Sequence, residues 1–409
     1  MNTFSDRKAS YKLPPGSVLD KSQTQQARRA KALEEQKRRR AKRIESERHI
    51  DLFADLNLGQ SDDETETGNS EIVRGGIGSI AKLMPPIHPP SETSSQAVDT
   101  EIVDAPALAP TKRKYKRKKG SSKKLSPWAD QCMYAELLEM KVDDDAWMPS
   151  TDAEDADGLP SDLHSGWVAV SPVPAGKRCL AVCHQGSGAV GVVPNTTLRS
   201  RVLGKPLMPR FPSHLPSDTV LDCILDENWH DNGILHVLDV LKWKGQDLAE
   251  CETSFRFWWR DTRLSELPPP RPPTISAPTS SDGRYKFPYP ISLSPITYYM
   301  DTTPGHLLSN IIPRARTSYS LPISVPTLET PMELDGSPTE ASVRADGLLL
   351  YVAQAIYEPG TSPLSLWVPA IPMRVEKDSM EEDGPSALDC FERLVKKRVA
   401  RTEGGSMHV

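Results

Sequence analysis

The side chains of this sequence that could do chemistry are its thiols, the aspartates inside its apolar runs, and its blocks of arginine and lysine. Six cysteines are scattered along the chain: Cys132, Cys179, Cys183, Cys223, Cys251 and Cys390. Cys179 and Cys183 have no second pair at zinc-ligand spacing. We therefore expect no metal site and no cofactor, and we interpret the cysteines as reduced, intracellular thiols.

Charge is segregated into blocks, although the net charge is only -5. Residues 21–48 and 112–124 are heavily basic, and such blocks are typical of partner-binding segments. Residues 25–58 are good helix formers with little apolar content, so we predict a long helix that has no core of its own and orders on an acidic partner. Composition alone leaves three roles open for this helix: a ligand of a carrier protein, a solvated helix or an RNA-binding arm.

The elements that must position these groups follow from the composition, with 37% hydrophobic residues and 38 prolines. We expect one folded domain of ordinary size, because much of the chain cannot bury a core. No apolar run approaches the length of a membrane span and no signal peptide is recognisable, so a membrane location is not expected. The predicted segments are a partner-binding segment with the basic helix (1–60), a disordered linker (61–125), the domain (126–375) with Pro-rich insertions near 266–285 and 316–343, and a charged tail (376–409).

From Trp167 onward the chain consists of short β-branched and apolar runs separated by Gly, Pro and Asn. These runs predict an α+β domain rich in antiparallel strands. Asp231-Asn232-Gly233 between two runs predicts a hairpin turn. Short helices are expected near 306–312 and 387–398.

Three strings in the domain combine aspartates, glycines and tryptophan: VLDCILDE from Val220, HVLDVLKWKGQDL from His236, and a segment from Asp346 to Pro369 that begins DGLLLY and ends SLWVP. Their order resembles the later motifs of covalent nucleotidyltransferases, the family of messenger-RNA capping enzymes and nucleic-acid ligases. The resemblance implies a capping-enzyme-like fold with a nucleotide cleft.

The chemistry of that family requires a lysine nucleophile, carboxylates that hold a metal, and further lysines that balance phosphate charge. The corresponding positions in this chain are occupied by Val173, Ala175, Ile224, Leu366 and Val368. We therefore expect a cleft that binds a nucleotide without covalent transfer, and a protein that is not an enzyme. The alternatives are a capping enzyme or ligase that remains active, and an unspecific RNA-binding protein with basic tails.

A narrower resemblance is carried by Asp222, Trp243, Gly245, Cys251 and the residues 255–258, which are similar to the central segment of the snurportin family. It implies recognition of the trimethylguanosine cap of spliceosomal small nuclear RNAs. A methylated guanine is cationic and stacks well on an indole, and the resemblance places Trp367 in that role and Trp167 as a second discriminating tryptophan. The implied cap contacts are Ser165, Trp167, Gly188, Ala189, Val190, Lys205 and Trp367.

The basic helix resembles the importin-β-binding segment shared by importin-α and the snurportins, which favours the carrier role. The implied importin-β contacts are Arg28, Arg29, Lys37, Arg38, Arg39, Arg40, Lys42 and Arg43. The resemblance further implies a monomeric adaptor that shuttles between cytoplasm and nucleus, with a nuclear exportin as a candidate partner for recycling. For residues 112–119 three roles stay open: a nuclear-localisation run, a contact to the RNA backbone, or both.

Overall fold

The structure is a computed structural model that describes residues 24–56, 126–140, 157–184, 194–269, 285–325, 338–370 and 385–405. The chain divides into two units, residues 1–43 with 124–409, and residues 44–123. The described part of the second unit is the distal end of a long helix, α1, which spans Gln25–Leu56 and confirms the predicted helix.

The first sheet has five strands in the order β1-β14-β13-β2-β10. Their bounds are Met133–Leu137 (β1), Gly360–Pro369 (β14), Ala345–Val352 (β13), Trp167–Pro174 (β2) and Tyr298–Tyr299 (β10). β1 is parallel to β14, and the other neighbours are antiparallel. Strands β2, β13 and β14 are almost entirely buried, as their near-continuous apolar sequences require.

The second sheet has seven strands, with β5-β4-β3-β6-β7-β8 in order and β9 paired in parallel with β7. The strands span Gly176–Cys183 (β3), Asn195–Ser200 (β4), Phe211–Pro212 (β5), Thr219–Asp226 (β6), Ile234–Trp243 (β7), Gln246–Asp247 (β8) and Ser292–Pro295 (β9). Helix α3 (Thr253–Ser265) packs against this sheet through β7 and β9. The expected α+β class with antiparallel-rich sheets is confirmed.

Helices cover the outer face of the first sheet. A continuous helical stretch consists of α4 (Pro304–His306), a π-helical turn (Leu307–Ile311) and α5 (Ile312–Arg316), which confirms and extends the helix expected near 306–312. Helix α6 (Ala387–Gly405) confirms the second expected helix. Leu388, Phe391 and Val395 of α6 are buried in the core, so residues 387–405 belong to the folded domain and are not the free tail that was expected.

The segment predicted as a Pro-rich insertion near 316–343 contains two strands, which corrects that expectation for its described part. Strands β11 (Tyr319–Ser324) and β12 (Pro338–Val343) form an antiparallel two-stranded sheet. Ile323, Ala341 and Val343 are buried, because they alternate with polar residues along the two strands. Of the insertion predicted near 266–285, residues 270–284 lie outside the described residues, as does the whole of the predicted linker, residues 61–125.

The predicted hairpin is confirmed, since β6 and β7 are antiparallel neighbours. The connection is one helical turn, α2 (Trp229–Asn232), and Gly233 ends it in the left-handed conformation. The buried carboxylate of Asp226 stabilises this connection. It accepts hydrogen bonds from Asn228 N (2.8 Å), Asn232 Nδ2 (2.8 Å) and His236 Nε2 (2.9 Å).

We expect Asp226→Asn to weaken the acid sensitivity of folding. Burial by itself raises the pKa of Asp226, but the hydrogen bonds from His236, Asn232 and Asn228 outweigh burial and hold that pKa below its usual value. A depressed carboxyl pKa contributes stability that is present above the unfolded pKa, about 3.9, and is lost as pH falls through the folded pKa. The free energies of unfolding of the wild-type protein and the variant, measured with denaturant, should therefore differ most above about pH 5 and converge as the pH falls through the folded pKa. A difference in unfolding free energy that stays constant over this range would contradict the assignment.

No helix in the described part of the chain is long and apolar enough to cross a membrane. The six cysteines all lie among the described residues, and none forms a disulfide. Cys179 is fully buried, and burial raises the pKa of its thiol to about 12. The Cys179 thiol is therefore protonated at neutral pH. Separately, the described residues contain no cluster of His, Cys, Asp and Glu suited to a metal ion.

Candidate functional site

Trp367 lies on β14 and points toward the second sheet. Its backbone neighbours across the first sheet are Leu349 on β13 and, beyond it, Val170 on β2. Tyr351 is on the same face, two residues from Leu349, and its ring contacts Phe257 of α3 edge-on at 5.5 Å between centroids. Because α3 packs on the second sheet, this face of the first sheet borders the space between the two sheets.

A glycine makes room for the Trp367 ring. A Cβ on Gly347 would lie 2.7 Å from Cη2 of Trp367 and 2.3 Å from the carbonyl oxygen of Val368. Gly347 also has a positive φ of 148°, which L side chains rarely adopt. This glycine belongs to the DGLLLY string, so one reason for its presence is the close approach of the indole.

Trp167 begins β2 and lies on the opposite face of the same sheet. The pairing of Trp167 with Val352 and of Val170 with Leu349 is continuous, and Val170 comes three positions, an odd number, after Trp167. Side chains alternate between faces along a strand. The two indoles therefore lie on opposite faces of the first sheet, and the cap contact of Trp167 stays a prediction. The reason is the register of β2, β13 and β14, which no local motif reveals.

Three contacts hold Trp167, two on its indole and one on its backbone. Its Nε1 donates a hydrogen bond to Asp162 Oδ1 (2.9 Å), and Thr302 before α4 lies against its backbone. The guanidinium carbon of Arg29 lies 5.4 Å from the ring centroid, in a cation–π arrangement. Trp167 is 2% exposed and Trp367 is 5% exposed. A base can therefore stack on either indole only after a neighbouring group shifts.

The other predicted cap contacts are distributed over the domain. Ser165 is exposed in the turn before Trp167, where its backbone N–H donates to the Asp162 carbonyl, so it is a neighbour of Trp167 rather than of Trp367. Lys205 is exposed on the turn between β4 and β5. Gly188, Ala189 and Val190 lie outside the described residues.

The five positions that the resemblance to nucleotidyltransferases aligns with catalytic lysines and carboxylates carry buried apolar side chains. Val173, Ile224, Leu366 and Val368 are fully buried, and Ala175 is nearly so. None of the five carries a group that could attack a phosphate or hold a metal. Lys177, the remaining lysine nearby, is exposed at the start of β3.

The buried aspartates between the sheets are fully occupied by internal partners. Asp222 accepts hydrogen bonds from Arg178 Nε (3.0 Å), Arg178 Nη2 (2.7 Å) and the Tyr357 hydroxyl (2.7 Å). Asp239 on β7 is bound by Arg256 of α3 at 2.9–3.2 Å. These carboxylates join strands to helix and loop, so their role in this structure is to fix the two sheets around the space between them.

The basic helix α1 is docked on the folded domain along one polar stripe. Gln25, Arg28, Arg29, Ala32, Gln36, Arg39, Arg40 and Arg43 recur at helical spacing on that stripe. Arg28 binds Glu136 (3.0 Å) and Glu139 (2.9 Å), and Gln36 exchanges two hydrogen bonds with the backbone of Ile356. Closer to the second unit, Arg39 pairs with Glu358, Arg40 with Glu252 and Arg43 with Glu250 at 2.8–3.3 Å.

This docking corrects the expectation that the helix has no contact with a core of its own chain. Ala32 and Leu33 pack against the main core cluster, and the remaining contacts are made by arginine and glutamine. Sequence periodicity missed the interface because it searches for apolar side chains, whereas this stripe is polar. The alternation of arginine and glutamine at helical spacing was the available signal.

Two classes of basic side chain result from the docking. Arg28, Arg29, Arg39, Arg40 and Arg43 contact the domain, as described above. Lys37, Arg38 and Lys42 are exposed, and none of the three forms an ion pair with another described residue. The eight predicted carrier contacts are therefore not equally available in this arrangement.

We expect the double reversal Glu250→Lys/Glu252→Lys to loosen α1. It removes the partners of Arg40 and Arg43, and exposed pairs of this kind contribute up to about 1 kcal/mol each. Hydrogen exchange over residues 25–43 should therefore report an opening free energy lower by roughly 1–2 kcal/mol. The matched control is Glu227→Lys/Glu266→Lys, which breaks two Arg–Glu pairs elsewhere, with Arg344 and Arg263. Equal exchange of α1 in both variants would refute the docking.

Comparison with known protein families gives a match over the part of the chain that contains Trp167, strands β3 to β8 and α3. Residues 153–285 match the family described as Snurportin1, m3G cap-binding domain. The match supports a snurportin-like protein, and it supports binding of a trimethylguanosine (m3G) cap by a protein of this type.

Proposed function

We propose that this chain is a nuclear import adaptor that binds the trimethylguanosine cap of spliceosomal small nuclear RNAs and links the ribonucleoprotein to importin-β. The observation that carries the cap half is the family match over residues 153–285. Trp367, which lies outside the matched residues, also supports cap binding, because β14 places it on the face of the first sheet that borders the second sheet.

The cap site is expected to centre on Trp367. A trimethylated guanine is a cationic ring with extra apolar surface, and an indole beside apolar walls suits it better than a carboxylate would. Ile224, Leu349 and Phe257 supply apolar surface within the same core cluster as Trp367. Asp222 and Asp226, the buried carboxylates two positions before and after Ile224, accept hydrogen bonds from donors within the domain. They are therefore not free to bind the amine of an unmethylated guanine.

Cap binding without covalent nucleotide transfer is supported by Val173, Ala175, Ile224, Leu366 and Val368. The five positions that the resemblance aligns with lysine or carboxylate are apolar and buried, so none of these five side chains can form a covalent nucleotide adduct. Incubation with labelled GTP or ATP and magnesium is expected to leave the chain unlabelled. A stable lysine–nucleotide adduct would instead favour the enzyme alternative.

The importin-β half is supported by the charge of α1. Lys37, Arg38 and Lys42 form an outward cationic row that can steer the helix to an acidic carrier surface. The predicted importin-β contacts also include the arginines of α1 that are paired with Glu136, Glu250, Glu252 and Glu358 in this structure. The carrier must therefore displace these contacts, each of which is weak individually because most are exposed. Shuttling between cytoplasm and nucleus, and recycling by an exportin, belong to the same proposal.

The test uses the full chain in two assays. The first assay is a fluorescence titration, because tryptophan emission reports stacking directly. It should show tighter binding of m3GpppG than of m7GpppG. Pull-down should recover importin-β without importin-α, and Lys37→Glu/Arg38→Glu/Lys42→Glu should reduce that recovery while cap affinity is kept. Equal affinity for the two caps would refute the cap assignment, and undiminished importin-β recovery by the triple variant would refute the role of the outward row.

A further inference from the structure

The segment 157–166, which leads into β2 and Trp167, consists of turns and bends. Asp162 lies in the middle of it and accepts the hydrogen bond of the indole Nε1. The Asp162 carbonyl also accepts the backbone N–H groups of Ser165 (3.0 Å) and Gly166 (2.8 Å). The orientation of the Trp167 indole therefore depends on where this segment lies.

The start of the segment is bound by Arg398 of the last helix, α6, which lies 241 positions after Asp157 in the chain. All three nitrogens of the Arg398 guanidinium donate. Nε and Nη2 bind the Asp157 carboxylate (both 2.7 Å), Nη1 binds the Pro160 carbonyl (2.6 Å), and Nη2 also binds the Leu159 carbonyl (2.8 Å). A planar guanidinium can hold a carboxylate and two carbonyls in this way, whereas a lysine ammonium cannot reproduce its fixed geometry.

Two further hydrogen bonds connect Arg398 to the Trp167 indole. The Pro160 carbonyl that binds Arg398 also accepts the backbone N–H of Leu163 (3.4 Å), which closes a turn around Asp162. Asp162 in turn binds the indole Nε1 (2.9 Å). A displacement of the Pro160 carbonyl is therefore transmitted to the indole through a single turn of the chain.

The far end of the segment is attached to the domain without Arg398. Thr302 Oγ1 donates to the Leu163 carbonyl (2.6 Å), and Ala353 N donates to the Gly166 carbonyl (2.9 Å). The Leu163 side chain is buried in the main core cluster. Loss of the Arg398 contacts should therefore displace the turn at the start of the segment while the segment stays attached to the domain.

We propose that Arg398 is a positioning residue of the cap site, which sets the place of the Trp167 indole and thereby the preference for the m3G cap over the m7G cap. The inference rests on the proposed function, in which Trp167 is the second, discriminating tryptophan. Arg398 lies outside the residues 153–285 that match the snurportin family, so the proposal adds α6 to the elements that build the site.

Cap preference is the property that such a displacement changes most. Both caps carry a cationic guanine that can stack on Trp367, and they differ only in the methyl groups on N2. One methylene in an apolar pocket is worth about 10- to 200-fold in discrimination, provided that a wall of the pocket contacts it. Groups that bind a ligand must be held within about 0.5 Å by the residues behind them. A displaced Trp167 should therefore lower the preference for m3G more than it lowers affinity for m7G.

The test measures the affinities of the full chain for m3GpppG and m7GpppG by titration calorimetry. Arg398→Gln should lower the ratio of the two affinities about fivefold, the factor that corresponds to one hydrogen bond of typical net strength. Arg398→Lys keeps the charge but not the planar geometry, so it should lower the ratio as well. The matched control is Arg316→Gln, which breaks two ion pairs (both 2.6 Å) with Asp389 and Glu392 near the start of α6 and should leave the ratio unchanged.

A second background tests whether Arg398 acts through the indole. Trp167→Phe keeps an aromatic ring but removes the N–H that binds Asp162. In that background Arg398→Gln should leave the ratio of affinities unchanged, because residues that act through one another are not additive in a double-mutant cycle. Hydrogen exchange over residues 157–166 should also be faster in Arg398→Gln than in Arg316→Gln.

The inference is overturned if Arg398→Gln and Arg316→Gln have the same ratio of affinities, or if the effects of Trp167→Phe and Arg398→Gln on that ratio simply add. Equal hydrogen exchange of residues 157–166 in the two arginine variants would also overturn it. If the wild-type chain binds the two caps equally, the proposed function fails and the inference on cap preference fails with it. Hydrogen exchange then decides alone whether Arg398 positions the segment.

Discussion

Replacing Trp367 by leucine should abolish most of the affinity for m3GpppG while the domain stays folded. Stacking of a base on an aromatic ring is worth roughly 1–3 kcal/mol, which corresponds to a loss of about 5- to 150-fold. Leucine keeps apolar volume at a position that is 5% exposed, whereas alanine would leave a cavity and cost about 3–5 kcal/mol of stability. Isothermal titration with m3GpppG measures the loss, and thermal unfolding verifies the fold.

Two further variants separate stacking from packing at this site. Trp367→Phe retains an aromatic face and should retain most of the cap affinity. Trp258→Ala removes an indole that is 52% exposed on α3 and should leave cap affinity unchanged. If leucine and phenylalanine at position 367 bind the cap equally well, Trp367 does not stack on the base.

The second large effect is expected at Asp222, where alanine should destabilise the domain by about 3–5 kcal/mol. Arg178 and Asp222 are both essentially unexposed to solvent. Burial by itself lowers the pKa of Arg178, but the charge of Asp222 outweighs burial and raises it, so Arg178 is a cation whose counter-charge is supplied by one residue. The variant would leave that cation buried and unpaired, and the Tyr357 hydroxyl would lose its acceptor. A domain with about 5–15 kcal/mol of stability would lose a large fraction of it.

Denaturant unfolding measures this loss, and two comparisons assign it. Asp231→Asn removes an exposed partner of Lys286 and should change stability by less than about 0.5 kcal/mol. The double variant Arg178→Met/Asp222→Leu should recover much of the loss, because it removes the unpaired charge together with its partner. A double variant no more stable than Asp222→Ala would indicate that packing, rather than the charge, accounts for the effect.

Sequence reasoning predicted the features that depend on local chemistry. The helix at 25–56, the hairpin around α2 and the helices near 306–312 and 387–398 all follow from propensity and periodicity over neighbouring residues. The α+β class followed from the same short runs. Strands β11 and β12 were missed because each contains a proline, which argues against a central strand but is tolerated in an edge strand.

The site could be predicted only in part, because its geometry depends on residues far apart in the chain. Trp367 in the SLWVP string lies next to Gly347 in the DGLLLY string. Both strings were recognised in the sequence, so the contact between their two strands could be suggested from it. The side of the sheet on which Trp167 lies depends on the register of three strands, and its contact with Arg29 depends on how α1 docks. Neither the strand register nor the docking of α1 can be recognised in the sequence around Trp167.

The parallel pairing of β1 with β14 determines which fragments of this protein can be produced on their own. Of the five strands of the first sheet, a fragment that ends at residue 285 keeps β1 and β2 but lacks β10, β13 and β14. β2 would lose its hydrogen-bonding neighbour on each side, and β1 would lose its partner. Unpaired, apolar strands of this kind template aggregation. An expression fragment must therefore run from before Met133 to beyond Pro369, and with α6 packed on the sheet, to about residue 405.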